Sequence, residues 1–312
     1  MNIVFFGSSE FGIPSLRVIS TTEHQVSCVV TQPDKKQGRG LRYAGTPIKT
    51  AAQECGFGLY QPLYVNTAET KEFLKGFNPD LFVVIAYGQI LSEQILNIPQ
   101  IFSLNVHASL LPKYRGAAPI NWAIINGEKN TGITIIKMVK EMDAGPIILQ
   151  KIVEVKSDDT STTLEETLAH LAAHLLLETL DSIGKKNYQL IPQEPDKVSF
   201  APKLMKKDGL INWGKSALDI YNLIRGVLSW PTAFTYYKNR LLKIYKAKIK
   251  STAPLPTRPS PGEIIKVAPE GIGVATGDGD LVIERLQLEG KRIMEVREFL
   301  AGNKINMGDR FG

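Results

Sequence analysis

The residues best suited to chemistry are an amide and an imidazole at the end of a short apolar run. Asn105 and His107 are separated by one residue, so on a β-strand both side chains project from the same face. An amide N–H beside an imidazole N–H can stabilise the oxyanion that forms when an amine attacks a carbonyl carbon. The pair indicates acyl transfer, although a capping Asn and a hydrogen-bonded His at a strand end are an equally ordinary structural interpretation.

A carboxylate at Asp143 is the third candidate. It follows a second apolar run at residues 132–138 and precedes Ala144 and Gly145, a combination typical of a turn between two strands. A carboxylate beside an imidazole orients the ring and can carry a proton between an attacking and a leaving amine. An Asp in a turn is often purely structural, so spacing alone leaves both interpretations open.

The elements that must hold these residues alternate along the first half of the chain. Apolar runs typical of strands cover residues 3–6, 26–31, 81–86 and 103–107. Amphipathic patterns typical of helices cover residues 47–55, 67–75, 117–126 and 164–183. Strands that alternate with helices predict an α/β, Rossmann-like fold around a mostly parallel sheet.

The second half of the chain has a different pattern. A helix predicted at residues 216–226 is followed by short β runs at 233–237, 241–248, 262–267, 271–276 and 281–287. Gly and Pro separate these runs, which predicts a small β-barrel. The Pro-, Gln- and Lys-rich stretch between the two halves of the chain is typical of an exposed connector. We therefore predict a catalytic domain over 1–188, a linker over 189–206 and a carboxy-terminal domain over 207–312.

Composition and cysteine usage narrow the class of protein. Of the 312 residues, 43% are hydrophobic and 22% charged, which is typical of a globular protein and gives no sign of disorder or of a membrane span. The apolar run at residues 2–6 is shorter than a secretory segment requires. Cys28 and Cys55 provide neither a disulfide framework nor a set of metal ligands. We expect a cytoplasmic protein without a membrane partner.

Positive charge is concentrated in two segments. Residues 203–250 carry eleven Lys and Arg against two Asp, and residues 34–49 carry five Lys and Arg among glycines. The second segment has no apolar periodicity and predicts an exposed basic loop. Either segment alone fits an ordinary solvated surface, whereas the two together favour a partner with a phosphate backbone, such as RNA.

Three further motifs favour structural interpretations. Residues 7–12 have the glycine spacing of a phosphate loop but lack the Lys and Ser or Thr that must follow, so we expect them to open the first helix. His170 and His174 lie one helical turn apart without the Glu of a zinc protease, which predicts ordinary helix-face histidines. Residues 277–280 lack the later acidic ligands of a calcium loop and predict a hairpin turn.

The stretch at residues 105–112 (NVHASLLP), continued to residue 120 and paired with Asp143-Ala144-Gly145, resembles the signature of the folate-dependent formyltransferases. The similarity extends over the whole chain and is greatest to the members that act on methionyl-tRNA. It implies transfer of the formyl group of 10-formyltetrahydrofolate to the α-amine of methionyl initiator tRNA, without a metal. It also implies that Asn105, His107 and Asp143 are the catalytic residues.

The resemblance further implies where the folate lies. Its pterin is expected to be held largely by backbone groups near two loops and the end of one strand. The implied folate-binding residues are Ile85, Ala86, Tyr87, Gly88, Gln89, Ile90, Ser109, Leu110, Leu111, Pro112, Met138 and Met142.

The tRNA contacts are implied in the same way. Residues 31–49 are similar to an insertion loop that meets the acceptor stem, and the family's carboxy-terminal domain is an OB-like barrel with a basic face. Trp230-Pro231 resembles a dipeptide typical of that domain. The implied tRNA-binding residues are Lys35, Lys36, Arg39, Arg42, Lys203, Lys206, Lys207, Lys243, Lys246 and Lys248. The family leads us to expect a monomer.

Other functions remain open from the sequence. Asn121-Trp122 and Lys140-Glu141-Met142 are also similar to the corresponding residues of formyltransferases that act on a sugar-nucleotide amine. A non-catalytic RNA-binding protein is a second alternative and a folate hydrolase a weaker third. The trio argues against the second, and the two basic segments are not needed by a sugar-nucleotide enzyme.

Overall fold

The chain forms two compact units. The computed structural model of the protein describes residues 1–37, 42–250 and 259–312. The first unit comprises Met1–Pro119, Asn130–Glu154 and Glu165–Ala201. The second comprises Ile120–Lys129, Val155–Leu164 and Pro202–Gly312.

A seven-stranded sheet organises the first unit. The strands along this part of the chain are β1 (Asn2–Gly7), β2 (Gln25–Val30), β3 (Lys35–Gln37), β4 (Arg42–Ala44), β5 (Leu59–Tyr60), β6 (Leu81–Ile85), β7 (Phe102–His107), β8 (Asn130–Lys137) and β9 (Ile147–Glu154). The sheet has the order β5-β2-β1-β6-β7-β8-β9. It is parallel from β5 to β7, and β8 and β9 continue it in antiparallel fashion. Sequential parallel strands require crossover connections, which the intervening helices supply.

Helices alternate with these strands along the chain. They are α1 (Ile13–Ile19), α2 (Pro47–Glu54), α3 (Ala68–Lys75), α4 (Glu93–Leu96), α5 (Pro119–Ile125) and α6 (Ser161–Gly184). The side chains of Thr46 and Thr67 accept hydrogen bonds from the third backbone N–H of α2 and α3, which satisfies a donor that has no partner within the helix. Pro14 lies in the first turn of α1, as predicted for the segment after residues 7–12.

The core of the first unit lies around β1, β2 and β6. All five residues of β6 are buried, because helices cover both faces of a parallel sheet. Phe6 and Phe82 lie with their ring centroids 4.9 Å apart in this core, and burial of each such side chain stabilises the fold by about 2–3 kcal/mol. Burial also raises the pKa of the Cys28 thiol to about 12, so this cysteine stays protonated and unreactive.

An antiparallel sheet organises the second unit. Its elements are α7 (Ala217–Gly226), β10 (Ala233–Tyr237), β11 (Arg240–Lys250), β12 (Ile264–Ala268), β13 (Gly271–Ala275), β14 (Asp280–Leu288), β15 (Met294–Glu295) and α8 (Val296–Gly302). The strand order is β10-β11-β14-β13-β12, and β15 pairs with β14. Residues 277–280 form the predicted turn between β13 and β14. The predicted fold class, a mostly parallel α/β sheet with a carboxy-terminal β-domain, is confirmed.

The prediction of a basic loop over residues 34–49 is wrong. β3 and β4 form an antiparallel hairpin there, and α2 begins at Pro47. Each strand of the hairpin has three residues, too few for an alternating pattern to be visible in the sequence. Within residues 1–37, 42–250 and 259–312, no helix combines the length and apolar content that crossing a bilayer requires.

Candidate active site

The structure brings Asn105 and His107 to one face of β7. The side chain of Asn105 is half-buried, His107 is 6% exposed, and Val106 between them is buried on the opposite face. The Asn105 Nδ2 donates to Asp143 Oδ1 over 3.2 Å. The His107 Nδ1 lies 3.5 Å from Asp143 Oδ2. The three predicted catalytic residues therefore meet around one carboxylate.

The turn between β8 and β9 presents Asp143 to this face. Asp143 has the left-handed φ of 53°, a conformation that Asp tolerates better than most residues. A Cβ at Gly145 would lie 1.7 Å from the Lys137 carbonyl oxygen, so only glycine fits there. The backbone N–H of Gly116 also donates to Asp143 Oδ2 over 2.8 Å.

The contacts of His107 indicate which of its ring nitrogens carries a hydrogen. Its Nε2 is 2.9 Å from the carbonyl oxygen of Tyr114, which only accepts, so Nε2 carries a hydrogen. The Nδ1 faces the carboxylate of Asp143. At 3.5 Å the contact between Nδ1 and Asp143 Oδ2 is longer than a usual hydrogen bond, so a small approach of the two groups would let a proton pass between them. A pair of this kind can take up and return a proton during a reaction.

Two polar residues of the sheet hold the loop after β7, and sequence reasoning missed both. Thr134 Oγ1 donates to Ser109 O over 2.6 Å and accepts from Leu111 N over 3.1 Å. Gln150 Nε2 donates to Leu111 O over 3.0 Å. Thr134 lies opposite His107 in the β7–β8 pairing. A single threonine in the apolar run at residues 133–136 is the signal that could have identified it.

Residues 191–201, which we call the strap, belong to the first unit and are bonded to the rest of it mainly through the backbone. Ile191 exchanges two hydrogen bonds with Ile147 over 2.8 and 2.9 Å. Ser199 accepts from Arg115 N at its carbonyl over 2.9 Å and from Tyr114 N at its hydroxyl over 3.0 Å. The side chains of the strap are mostly exposed, as predicted for a connector, but its backbone is bonded to the loop that contacts His107 and Asp143.

Comparison with known proteins identifies the family of this chain. A family model described as formyl transferase matches residues 1–180, and one described as formyl transferase, C-terminal domain, matches residues 203–304. The chain belongs to the formyl transferase family. It is a formyl-transferring enzyme whose family uses a folate donor.

Curated relatives of this formyl transferase match it from end to end. The methionyl-tRNA formyltransferase of Acetivibrio thermocellus is 44% identical over 100% of both chains. That of Caldanaerobacter subterraneus is 45% identical over 99% of both chains.

Solved structures share the fold at lower identity. HypX from Aquifex aeolicus in complex with tetrahydrofolic acid is 17% identical over 98% of this chain and 50% of its own, with a TM-score of 0.64. WlaRD, a sugar 3N-formyl transferase, is 19% identical over 94% of this chain and 99% of its own, with a TM-score of 0.69. At these identities the likeness is one of fold.

The first predicted folate segment of this formyl transferase, residues 85–90, follows β6. Ile85 and Tyr87 are buried, whereas Ala86, Gly88 and Ile90 are exposed. Ala86 and Gly88 have the positive φ values of 47° and 85°, so the chain turns sharply. The carbonyl oxygens of Ala86 and Tyr87 accept hydrogen bonds from Ser8 and Gln32. Gln89 is engaged, because its Oε1 accepts from Val65 N. Folate binding by this segment stays a prediction.

The remaining predicted folate residues lie on two loops. Ser109 is buried and its hydroxyl donates to Lys113 O over 2.7 Å, while Leu111 is also buried and Leu110 and Pro112 are half-buried. Met138 packs against the core cluster that contains Tyr87. Met142 is 56% exposed.

Of the predicted tRNA residues near the β3–β4 hairpin, the structure describes Lys35, Lys36 and Arg42. Lys35 on β3 is exposed and donates from Nζ to Gln32 Oε1. Lys36 lies on β3 and Arg42 on β4, while Arg39 lies outside the described residues. The nearby Lys49, counted in the same basic segment, pairs with Asp34 over 2.6 Å. The hydrogen bond from Lys49 holds the pKa of Asp34 below its usual value.

The predicted tRNA residues of the second unit lie on its surface. Lys203, Lys206, Lys207, Lys246 and Lys248 are exposed, and Lys243 is half-buried. Glu284 on β14 pairs with Lys246 over 3.0 Å and with Lys248 over 2.7 Å. These hydrogen bonds, chiefly that of Lys248, lower the pKa of Glu284. The sequence count of positive charge missed this partner, since β14 is distant in sequence.

Two other sequence features are structural. Arg225, counted in the basic segment, is 8% exposed and donates to Asn222 Oδ1 and to the Asp159 carbonyl. It therefore adds no charge to the surface. His170 and His174 are exposed on α6. Among the residues that the structure describes, no group of three or more His, Cys, Asp or Glu could hold a metal ion.

Proposed function

We propose that this formyl transferase moves the formyl group of 10-formyltetrahydrofolate to the α-amino group of methionyl initiator tRNA. The observation that carries the proposal is the meeting of Asn105 and His107 at the carboxylate of Asp143. The acceptor follows from relatives named methionyl-tRNA formyltransferase that match at 44–45% identity over essentially the full chain. The product initiates translation in the cytoplasm.

The proposed reaction is direct acyl transfer. The uncharged amine attacks the formyl carbon, and its carbonyl oxygen becomes an oxyanion that Asn105 stabilises by a hydrogen bond. His107, whose two ring nitrogens face the Tyr114 carbonyl and Asp143, stabilises it by its positive charge when protonated. Asn105 uses one Nδ2 hydrogen on Asp143, so its second hydrogen is available for the oxyanion. Asp143 keeps His107 oriented throughout.

Proton transfer completes the reaction. The attacking nitrogen gives up a proton, and the nitrogen of the folate gains one as its bond to the formyl carbon breaks. The neighbouring Asp143 and His107, whose Oδ2 and Nδ1 lie 3.5 Å apart, relay it. The two substrates supply every atom that changes bonds, so no covalent enzyme intermediate is required.

We assign the folate and tRNA contacts to the predicted binding residues. The backbone around Ala86 and Gly88, the loop at residues 109–112, and Met138 and Met142 contact the folate. The basic hairpin and the exposed lysines of a carboxy-terminal domain over residues 207–312, together with the lysines of a linker over 189–206, meet tRNA phosphates. The enzyme acts as a monomer.

The deciding experiment supplies labelled 10-formyltetrahydrofolate with three acceptors: methionyl initiator tRNA, the same tRNA uncharged, and a UDP-amino sugar. We expect label on charged tRNA alone. Label on the sugar alone would overturn the acceptor while retaining the chemistry. Release of labelled formate without any acceptor would indicate a hydrolase. Binding of tRNA with no transfer would indicate a non-catalytic RNA-binding protein.

A further inference from the structure

The Gln193 side chain lies between the two loops that surround the predicted catalytic carboxylate. Its Nε2 donates to the carbonyl oxygens of Asp143 and Gly145, each over 2.7 Å. Its Oε1 accepts from Arg115 Nε over 3.1 Å and Arg115 Nη2 over 2.7 Å. A primary amide has two hydrogens to donate and two lone pairs to accept with. All four are used here.

The partners on each side require an amide. Carbonyl oxygens only accept and a guanidinium only donates, so the amide of Gln193 can bond all four groups in one orientation only. A glutamate would place an oxygen against two carbonyl oxygens. An asparagine is one methylene too short to reach both loops.

The two loops that Gln193 joins are the two that hold Asp143. One is the turn of Asp143 itself, where φ is 53° and where Gly145 lies against the Lys137 carbonyl. The other contains Arg115, which directly precedes Gly116, and the Gly116 N–H binds Asp143 Oδ2 over 2.8 Å. Gln193 therefore ties the loop that carries the carboxylate to the loop that supplies its backbone donor.

We propose that Gln193 is a positioning residue for formyl transfer, which holds the Asp143 turn so that the carboxylate stays aligned with Asn105 and His107. The inference rests on the proposed function, because it requires that Asp143 takes part in the reaction. Gln193 lies between the two family matches, which end at residue 180 and resume at residue 203. It is separated from Asp143 by 50 positions and from Arg115 by 78.

Three variants test the proposal. Gln193→Met keeps the length of the side chain and removes all four hydrogen bonds. Gln193→Glu keeps the acceptor for Arg115 and removes both donors to the turn. Gln189→Met is the matched control, since Gln189 is an exposed glutamine in the same segment whose side chain has no hydrogen bond to any described residue.

The measurements are kcat for formylation of methionyl-tRNA, KM for both substrates, single-turnover rates and the unfolding midpoint. We expect Gln193→Met and Gln193→Glu to lower kcat by about 10- to 100-fold, because small misplacements of reacting groups have effects of this size. KM for both substrates should stay within about twofold of wild type, and the midpoint within a few degrees. Gln189→Met should match wild type.

A double-mutant cycle separates positioning from a general structural role. In an Asp143→Ala background no carboxylate remains to be aligned, so adding Gln193→Met should leave the single-turnover rate unchanged within about twofold. A further full loss in that background would overturn the proposal. So would a kcat within about threefold of wild type for Gln193→Met, or a loss in both variants that only follows the loss of folded protein.

Failure of the proposed function would look different. It would appear in proteins that retain Gln193, as the absence of transfer to methionyl-tRNA by the wild type or as a loss below about threefold in Asp143→Ala. Either result would remove the basis for a positioning role. The positioning role would be established if both of these results were as expected and Gln193→Met lowered kcat in the wild-type background but not in the Asp143→Ala background.

Discussion

Two regions of the molecule serve the proposed function in opposite ways. Around Asp143, which is 11% exposed, Asn105, His107 and the Gly116 N–H all converge on one carboxylate. On the outward face of β11, Lys246 and Lys248 are 66% and 58% exposed and share the single carboxylate of Glu284. The first region is a largely buried cluster of polar groups around one carboxylate, and the second is a loose array of charges.

The difference follows from what each region must bind. An oxyanion exists only in the transition state, and donors that are already aimed at it need no reorganisation when it forms. Phosphates of a nucleic acid attract cations over about 8–10 Å in physiological salt, so a lysine on a flexible stem is sufficient. Substitutions should therefore affect the first region by orders of magnitude and the second by much smaller factors.

The largest effect is expected from Asn105→Ala. Loss of one oxyanion donor typically lowers turnover by about 10²–10³-fold. The measurement is kcat for methionyl-tRNA formylation, with the unfolding midpoint as a check that the fold is intact. A loss below about threefold would remove Asn105 from the catalytic trio and would weaken the contrast between the two regions.

A slightly smaller effect is expected from Gly145→Ala. The added Cβ would lie 1.7 Å from the Lys137 carbonyl oxygen, so the turn must shift and carry Asp143 with it. A displacement of about 1 Å lowers turnover by about 10²-fold. The control is Gly184→Ala, where a Cβ meets nothing within 4 Å. Equal kcat values for the two variants would show that the turn tolerates movement.

An effect of intermediate size is expected from replacing Lys246 and Lys248 of β11. Lys246→Ala combined with Lys248→Ala should raise KM for tRNA, leave KM for the folate unchanged and reduce the salt dependence of tRNA binding by about one unit of log–log slope per phosphate contact. The measurement is tRNA affinity across a range of salt concentrations. An unchanged slope would mean that this face of β11 does not meet phosphates.

Glu284→Gln should have the opposite effect on tRNA binding. It removes the carboxylate that now pairs with both lysines, so tRNA affinity should rise by a few-fold and its salt dependence should steepen. The same affinity measurement applies. Weaker binding by this variant would contradict the picture of a loose array, because it would show that Glu284 fixes the lysines in the orientation that tRNA needs.

The smallest effect is expected from Asp309→Asn and appears only in acid. The Tyr237 hydroxyl donates to Asp309 over 2.6 Å and lowers the pKa of this carboxyl. A lowered pKa stabilises the fold above the carboxyl's unfolded pKa, and this stability is lost as the pH falls through the folded value. Between about pH 5 and pH 3, the unfolding midpoint of wild type should therefore fall more than that of Asp309→Asn.

The control for this variant is Asp158→Asn, which replaces an exposed carboxylate without a side-chain hydrogen bond to any described residue. Its acid profile should follow wild type. Formylation at neutral pH should be the same for all three proteins, because the second unit needs no fixed network for activity. Parallel acid profiles for wild type and Asp309→Asn would contradict the prediction.

Local patterns were sufficient to predict most of the elements. The run at residues 103–107 became β7 (Phe102–His107), and the run at 233–237 became β10 (Ala233–Tyr237). Periods of 2 and 3.6 residues are properties of neighbouring positions, so they can be read without knowing the fold. β3 and β4 escaped prediction because three residues are too few to show a period.

The residues of the site also differ in whether local sequence patterns could predict their positions. The common face of Asn105 and His107 followed from strand geometry alone, whereas the place of Asp143 beside them came from a family resemblance. Thr134, Gln150 and Gln193 act through backbone groups of loops, and nothing in their own sequence surroundings indicates which loops. Glu284 was missed for the same reason, since it pairs with lysines of β11 across a strand interface.

Residue types and local spacing were enough to predict the α/β and β halves, the amide and imidazole on one strand face, and the concentration of positive charge. These depend on residue type and on spacing along the chain. Folding supplied the distances at which the Asp143 carboxylate faces Asn105 and His107, the link that Gln193 makes between the two loops around it, and the pairing of Glu284 with Lys246 and Lys248. Such contacts join residues distant in sequence, and their partners are selected by how strands pair and loops pack, which no local pattern records.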